Sequence, residues 1–308
     1  MPNEVKTTKR QTINEFFPLF KEFNNPERFI KKVPTGFDQL DKILGGGLTN
    51  GIHTVCAWPG TGKTTLMLNI AMNAAKANIP VLFFSYEMSP LDLTTRIYSC
   101  VSNELAQSKG GFTFDDLRLE RKISAAEKKL YSKSVECVER DFIDSISFFN
   151  CREERYTAKD IADEIDLFVS ENKKYPLVVV DYLQLIESES NVSMKTSVDN
   201  AMITLHDVTQ RHQLAMIAIS SITKQYNEKL TMFSCAESAR IPYTSVTVWG
   251  LSVLNENEES AYKTIQLEIF KNRYGESNKT LTFSFDAAYS KFAEFKEPPK
   301  SKSRKTQK

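Results

Sequence analysis

The chain has 308 residues, 41% of them hydrophobic, with 40 basic and 39 acidic side chains and a formal net charge of +1. This length is long for one domain and short for two full ones, and the charge excludes a uniformly basic nucleic-acid coat while leaving room for a local DNA-binding stripe. No apolar run approaches the roughly 18 residues of a membrane span, the first ten residues lack an apolar signal core, and five scattered cysteines without a CxxC pair suit a reducing compartment and argue against a zinc site.

Residues 1–30 read as an arm. Ile13, Phe16, Phe17, Phe20 and Phe23 recur at near-helical spacing, and Asn24-Asn25-Pro26 ends the pattern. A lone helix this short is marginal in water, so it must pack on its own domain or on a neighbouring subunit. From Val33 onward strand-like and helix-like runs alternate. Strands are predicted at Ile52–Ala57, Val81–Ser85, Ile146–Phe149, Leu177–Asp181 and Ala215–Ser220, with later ones at Ser245–Leu251, Thr264–Phe270, Leu281–Phe285 and Lys291–Phe295. Helices are predicted at Thr64–Asn78, at Ala158–Asn172 behind Thr157 as N-cap, and at Val198–Arg211. Near-continuous apolar strands separated by helices indicate an α/β fold, with a mainly parallel twisted sheet and helices on both faces. The last strands follow one another without helices, which places antiparallel hairpins at one sheet edge. The expected organisation is an arm at 1–30, an α/β domain at 31–296 and a disordered basic tail at 297–308.

The sharpest signal is Ala57-Trp58-Pro59-Gly60-Thr61-Gly62-Lys63-Thr64-Thr65 between a predicted strand and a predicted helix. It fits the phosphate-binding loop except that Ala57 stands where the first Gly is usual. Small residues let backbone N–H groups wrap phosphates, and the following helix aims its positive end at them. Residues Pro59 to Thr65 form the nucleotide cradle. Lys63 should reach the β and γ phosphates of ATP, and the Thr64 hydroxyl should ligate Mg²⁺. Asp181 ends an apolar run, the place for a carboxylate that holds Mg²⁺ through water. The next residue is Tyr182 rather than an acid, so the base that polarises the attacking water must come from elsewhere. Glu87 is the candidate. It follows the next strand after the phosphate-loop helix, a strand that can lie beside the phosphate-loop strand.

Together these pieces resemble the C-terminal, RecA-like ATPase domain of DnaB-type replicative helicases, in order from about Val33 to Phe295. Val33 to Asp41 looks like the family's lead-in, and the family often has Ala at the position of Ala57. Phe84-Ser85-Tyr86-Glu87-Met88-Ser89 followed by Arg96 is similar to the segment that holds the catalytic glutamate. Asp181-Tyr182-Leu183-Gln184-Leu185 is similar to the magnesium-binding motif, and Lys271-Asn272-Arg273-Tyr274-Gly275 to the trans-acting finger. The resemblance implies that Arg273 and Lys271 act on the ATP of a neighbouring subunit. It implies a homo-oligomeric ring, a hexamer, around single-stranded DNA, with loops near Glu187–Thr196 and Gln225–Arg240 lining the channel and a primase or helicase loader as partner.

Three features depart from the family pattern. The strand before the sensor position usually ends in Ser-Gln and here ends in Ser220-Ser221; Ser221 is too short to reach a γ-phosphate as Gln can. The DNA loop, commonly Arg-Glu-Ser-Gly, reads Ala236-Glu237-Ser238-Ala239 and is followed by Arg240; Glu237, Ser238, Ala239 and Arg240 are the candidate DNA contacts. Only about 30 residues stand where a helical N-terminal domain is usual, and the phenylalanines of the arm are expected to dock on an adjacent subunit. The alternative reading keeps the ATPase and drops unwinding, as in a RecA- or KaiC-like loader, mediator or regulator.

Overall fold

The computed structural model describes residues 32–188, 192–222, 230–232, 234, 240–255 and 262–295. The phenylalanines of the arm, the basic tail and Glu237, Ser238 and Ala239 lie outside these residues. In chain order the described elements are α1 (Asp38–Ile43), β1 (Gly51–Ala57), α2 (Lys63–Lys76), β2 (Val81–Ser85), α3 (Pro90–Leu105), α4 (Phe114–Arg118), α5 (Lys128–Asp141), β3 (Ile146–Asn150), α6 (Cys151–Glu154), α7 (Ala158–Asn172) and β4 (Leu177–Asp181). After a 3-10 turn at Leu183–Leu185 come α8 (Met194–His212), β5 (Ala215–Ser221), α9 (Arg240–Thr244), β6 (Thr247–Asn255), β7 (Lys263–Asn272), β8 (Lys279–Asp286) and β9 (Lys291–Glu294).

The strands form one sheet in the order β3-β2-β4-β5-β1-β6-β7-β8-β9. The first six are parallel to one another, and β7, β8 and β9 add antiparallel at one edge. Successive side chains of a strand point to opposite faces, and the central strands carry apolar residues on both. Leu177 and Val179 of β4 join a core with α2, α3 and α5, whereas Val178 and Val180 join a second core with α7 and α8. β5 divides in the same way, with Ile217 and Ile219 on the first face and Met216 and Ala218 on the second. This two-faced burial is why these strands read as continuous apolar runs. No helix of the described residues is long and apolar enough to cross a membrane.

Helix starts follow their caps. Thr157 accepts from the Asp160 backbone N–H while the Asp160 carboxylate accepts from the Thr157 N–H, a reciprocal capping box that fixes the start of α7. Between Pro90 and Asp141 the structure has three helices for which the periodicity gave no prediction. The buried face of α3 sets Leu93, Ile97, Cys100 and Val101 beside Ser99, Ser102 and Asn103, and α5 buries only Ser134 and Val138, so polar side chains dilute the apolar signal of both. The start of α3 was nonetheless encoded: Ser89 accepts from Asp92 N–H, and Pro90 occupies the first turn.

One positional expectation is corrected. β2 does not lie beside β1; β4 and β5 stand between them. The α2 crossover carries the chain past two positions that later strands fill. Glu87 nevertheless comes to the phosphate-loop side, because the segment after β2 leans on β4: Tyr86 N–H donates to Asp181 O at 2.8 Å. Cys100, Cys137 and Cys151 are free thiols.

Candidate functional site

In an open parallel sheet, ligands meet the crevice at the carboxyl ends of the strands. Here β1 ends in the loop Trp58–Gly62 and β4 ends at Asp181. Gly60 and Gly62 have φ of +80° and +89°, left-handed values that let the chain fold over the start of α2. A Cβ on Gly62 would meet the ring of Phe285 at 2.8 Å and that of Phe292 at 3.0 Å, whereas one on Gly60 would meet nothing within 4 Å. Phe285 and Phe292 stack with centroids 4.5 Å apart. The antiparallel edge therefore supports the loop from behind. Pro59 and Gly60 are exposed, while Thr61, Lys63 and Thr65 are buried. Thr61 holds the loop closed, its Oγ1 donating to Trp58 O at 2.9 Å.

Lys63 Nζ donates to Ala57 O and Trp58 O, each at 3.3 Å. Burial holds the ammonium below the usual lysine range, and the carboxylates of Asp181 and Glu87 pull it partly back. Thr64 Oγ1 donates to Asp181 Oδ2 at 2.6 Å, which joins the two predicted magnesium ligands across 117 positions of sequence. Asp181 is fully buried and its Oδ1 has no protein partner. Burial pushes its carboxyl up to about 6, with Glu87 raising it further and Thr64 and Lys63 pulling it down. The Thr64 hydroxyl and the Asp181 carboxylate, whose Oδ1 is unpaired, make a hard-oxygen donor pair that fits Mg²⁺.

Glu87 sits in a turn pinned by Ser85, whose Oγ donates to Met88 O and accepts from Met88 N–H. Its carboxylate is exposed and acts on Lys63, Arg96 and Asp181 through its charge. Arg96 crosses from α3 to donate to Thr65 Oγ1 and Ser290 Oγ and lies over the Phe114 ring at 4.7 Å. The contacts of Arg96 and Gln184 are not predicted by the sequence pattern around them. The signal for Gln184 was a polar side chain set between two leucines just after a buried strand.

Lys271 and Arg273 are far from this cluster. Arg273 N–H donates to Val246 O and Val246 N–H to Ile52 O, so Arg273 stands level with Ile52, at the opposite end of β1 from the phosphate loop. Five residue steps along the strand take the chain from Ile52 to Ala57, about 16 Å, beyond the reach of an arginine side chain. Both cations engage α9 and the residues after it: Lys271 Nζ donates to Pro242 O and Ser245 O at 2.6 and 2.7 Å, and an Arg273 Nη donates to Tyr243 O at 3.2 Å. Arg240, the one described residue of the predicted DNA contacts, begins α9.

Fold and site together define a P-loop protein with a RecA-like core. Residues 32–294 match the DnaB-like helicase C-terminal domain, and the chain belongs to that family. It is 26% identical over 96% of its length to a probable replicative DNA helicase of Trieres chinensis, covering 65% of that protein, and 27% identical over 92% to the replicative DNA helicase DnaC of Bacillus subtilis, covering 61%. The chain thus spans about three fifths of the length of these curated relatives. A solved ATPase domain superposes with a TM-score of 0.80 at 19% identity, covering 94% of this chain and 100% of that one. A DnaB-like replicative helicase whose structure was solved with its interactions with primase gives 0.79 at 19%, covering 91% of this chain and 68% of that one.

Two predictions follow from this geometry. Gly62→Ala should lower the melting midpoint more than Gly60→Ala. Both carry the left-handed strain of about 1–3 kcal/mol, and only the first adds a clash with the Phe285 ring; equal melting curves would contradict the packing. The second concerns pH in nucleotide- and metal-free protein. The Asp181 value of about 6 stands above its ordinary 3.8, so its contribution to stability is full below pH 3.8 and is lost as pH rises through 6. Buried His53, lowered from 6.5 to about 4 by desolvation, runs the other way, with its contribution present above 6.5 and lost as pH falls through 4. Subtracting the unfolding free energy of Asp181→Asn from that of the wild type isolates Asp181. The difference should fall from pH 4 to pH 6, and a flat difference would show that the carboxyl titrates normally.

Proposed function

We propose that this chain is an ATP-hydrolysing motor of DnaB type, acting as a ring of identical subunits, a hexamer, that translocates on single-stranded DNA and opens duplex DNA. The observation that carries the reading is the division of the site. The phosphate loop, Thr64 and Asp181 gather at one end of β1, and Lys271 and Arg273 stand at the other. One copy of the chain cannot bring these groups to the same phosphate, whereas two copies packed end against end can.

In this mechanism the backbone of Pro59 to Thr65 wraps the ATP phosphates and Lys63 neutralises the β and γ groups. Thr64 and Asp181 would hold Mg²⁺, which when bound offsets charge on the β and γ oxygens. Glu87 accepts a proton from the attacking water; its exposed position on a pinned turn leaves it free to do so. Arg273 and Lys271 of the adjacent subunit stabilise the charge that builds as the γ-phosphoryl group leaves, as a finger supplied in trans does. The strand passes the loops at 187–196 and 225–240, where Glu237, Ser238, Ala239 and Arg240 contact phosphates irrespective of sequence, which makes binding salt-sensitive. The arm at 1–30 docks on a neighbour, and a primase or a loader engages the assembled ring.

The test is a forked-duplex assay run beside ATP turnover. The wild type should separate strands and hydrolyse ATP faster with single-stranded DNA. Glu87→Gln should bind ATP with unchanged affinity and lose hydrolysis by at least about a hundredfold. ATP turnover without strand separation would replace the helicase by a RecA- or KaiC-like regulator. Turnover that survives Glu87→Gln would remove Glu87 as the base.

A further inference from the structure

Main-chain pairing between β4 and β5 stops at Val180 opposite Ala218. β5 continues beyond that point to Ser221, which pairs with Ala57 on its other side. Where β4 has left the sheet, the side chain of Gln184 takes its place. Gln184 Oε1 accepts from Ser221 N–H at 3.1 Å, and Nε2 donates to Ser221 O at 3.1 Å and to Ser220 Oγ at 2.9 Å. A primary amide offers the same donor and acceptor as a peptide group, so Gln184 pairs with both backbone groups of Ser221 where a neighbouring strand would.

This pairing joins three parts of the proposed machinery. Gln184 lies three residues after Asp181, and Glu187, where one candidate DNA loop begins, lies three residues further on. Ser221 ends β5 just before the other candidate DNA loop. The flanking residues give Gln184 a firm base: Leu183 and Ile186 are buried in the core with α7 and α8, and Ser220 is fully buried. Hydrogen bonds weaken steeply as geometry departs from linearity and contact distance. Three bonds on one amide therefore oblige the segment after Asp181 and the end of β5 to move together or to part.

We propose that Gln184 is the positioning residue that couples the Asp181 side of the nucleotide site to the roots of both DNA loops. It does so within the subunit and through Ser221 itself, the residue that is too short to sense a γ-phosphate directly. This rests on the nucleotide site assigned above. The glutamine that links phosphate to loop is supplied from the end of β4 rather than from the end of β5.

The experiment is hydrogen–deuterium exchange on the full chain, as wild type and as Gln184→Met, with magnesium and a non-hydrolysable ATP analogue or with ADP. Methionine keeps the length and apolar stem of the side chain and removes all three bonds. In the wild type, exchange at the Ser221 amide and across 182–188 should differ between the two nucleotides. In Gln184→Met the Ser221 amide should exchange about fivefold faster and the difference between nucleotides should vanish. Analogue affinity should stay within about twofold, since Gln184 touches no group of the phosphate loop. Gln184→Glu keeps the acceptor for Ser221 N–H and sets an oxygen against Ser221 O, and should restore part of the nucleotide response. The inference is overturned if Gln184→Met responds to nucleotide as the wild type does, if the wild type shows no response, or if affinity and melting temperature fall together in Gln184→Met, the mark of a purely structural bond. A wild type that responds to nucleotide but whose hydrolysis DNA does not stimulate would sink the motor reading and leave this coupling standing.

Discussion

A carboxylate withdrawn from water at the end of a parallel strand is costly unless positive or hydrogen-donating groups face it. Asp181 is such a group, and the architecture around it answers that constraint. The β1–α2 unit brings Lys63 and the Thr64 hydroxyl to it across the sheet, and one carboxylate oxygen is left for a ligand. The segment after β2 leans on the Asp181 carbonyl and so carries Glu87 into the field of the same cluster. The segment after β4 turns Gln184 back onto β5. Each of these contacts is made from the carboxyl end of a strand, which is where the parallel arrangement concentrates loops that can face one ligand.

The opposite end of the sheet has a different task. There the antiparallel hairpin of β6 and β7 delivers Lys271 and Arg273 next to the carbonyls that follow from α9. Burial and the neighbouring guanidinium hold the Lys271 ammonium below its usual range. Cations so placed are of no use to the phosphate loop of their own chain. In the proposed ring they serve a second copy, and α9, whose carbonyls they hold, starts at Arg240.

Much of this was legible in the sequence because the signals were local. The β-branched runs at Ile52–Ala57 and Leu177–Asp181, the glycines before Lys63 and the Thr157 cap each determine structure within a few residues. The site inherited that legibility, since Asp181 ends one such run and Thr64 follows the glycines at the start of α2. What was not legible depends on distant contacts. The position of β2 depends on which strands fill the gap beside β1, and no local pattern records that. α3 and α5 bury polar side chains among or in place of apolar ones, which masks their apolar pattern although the Ser89 cap is clear. The role of Gln184 appears only when β4 and β5 are side by side, because a lone glutamine between leucines says nothing of the backbone it will complete.

The central claim is that a working site needs two copies of the chain, and mixing inactive subunits tests it most directly. Lys63→Ala lacks the phosphate-binding cation but keeps its finger; Arg273→Ala lacks the finger but keeps its phosphate loop. Each alone should be without ATPase activity. Mixed and reassembled, they should recover hydrolysis at the interfaces where an intact phosphate loop meets an intact Arg273, with the yield rising and falling with the mixing ratio. A mixture no more active than either variant alone, in oligomers shown to contain both, would contradict the account.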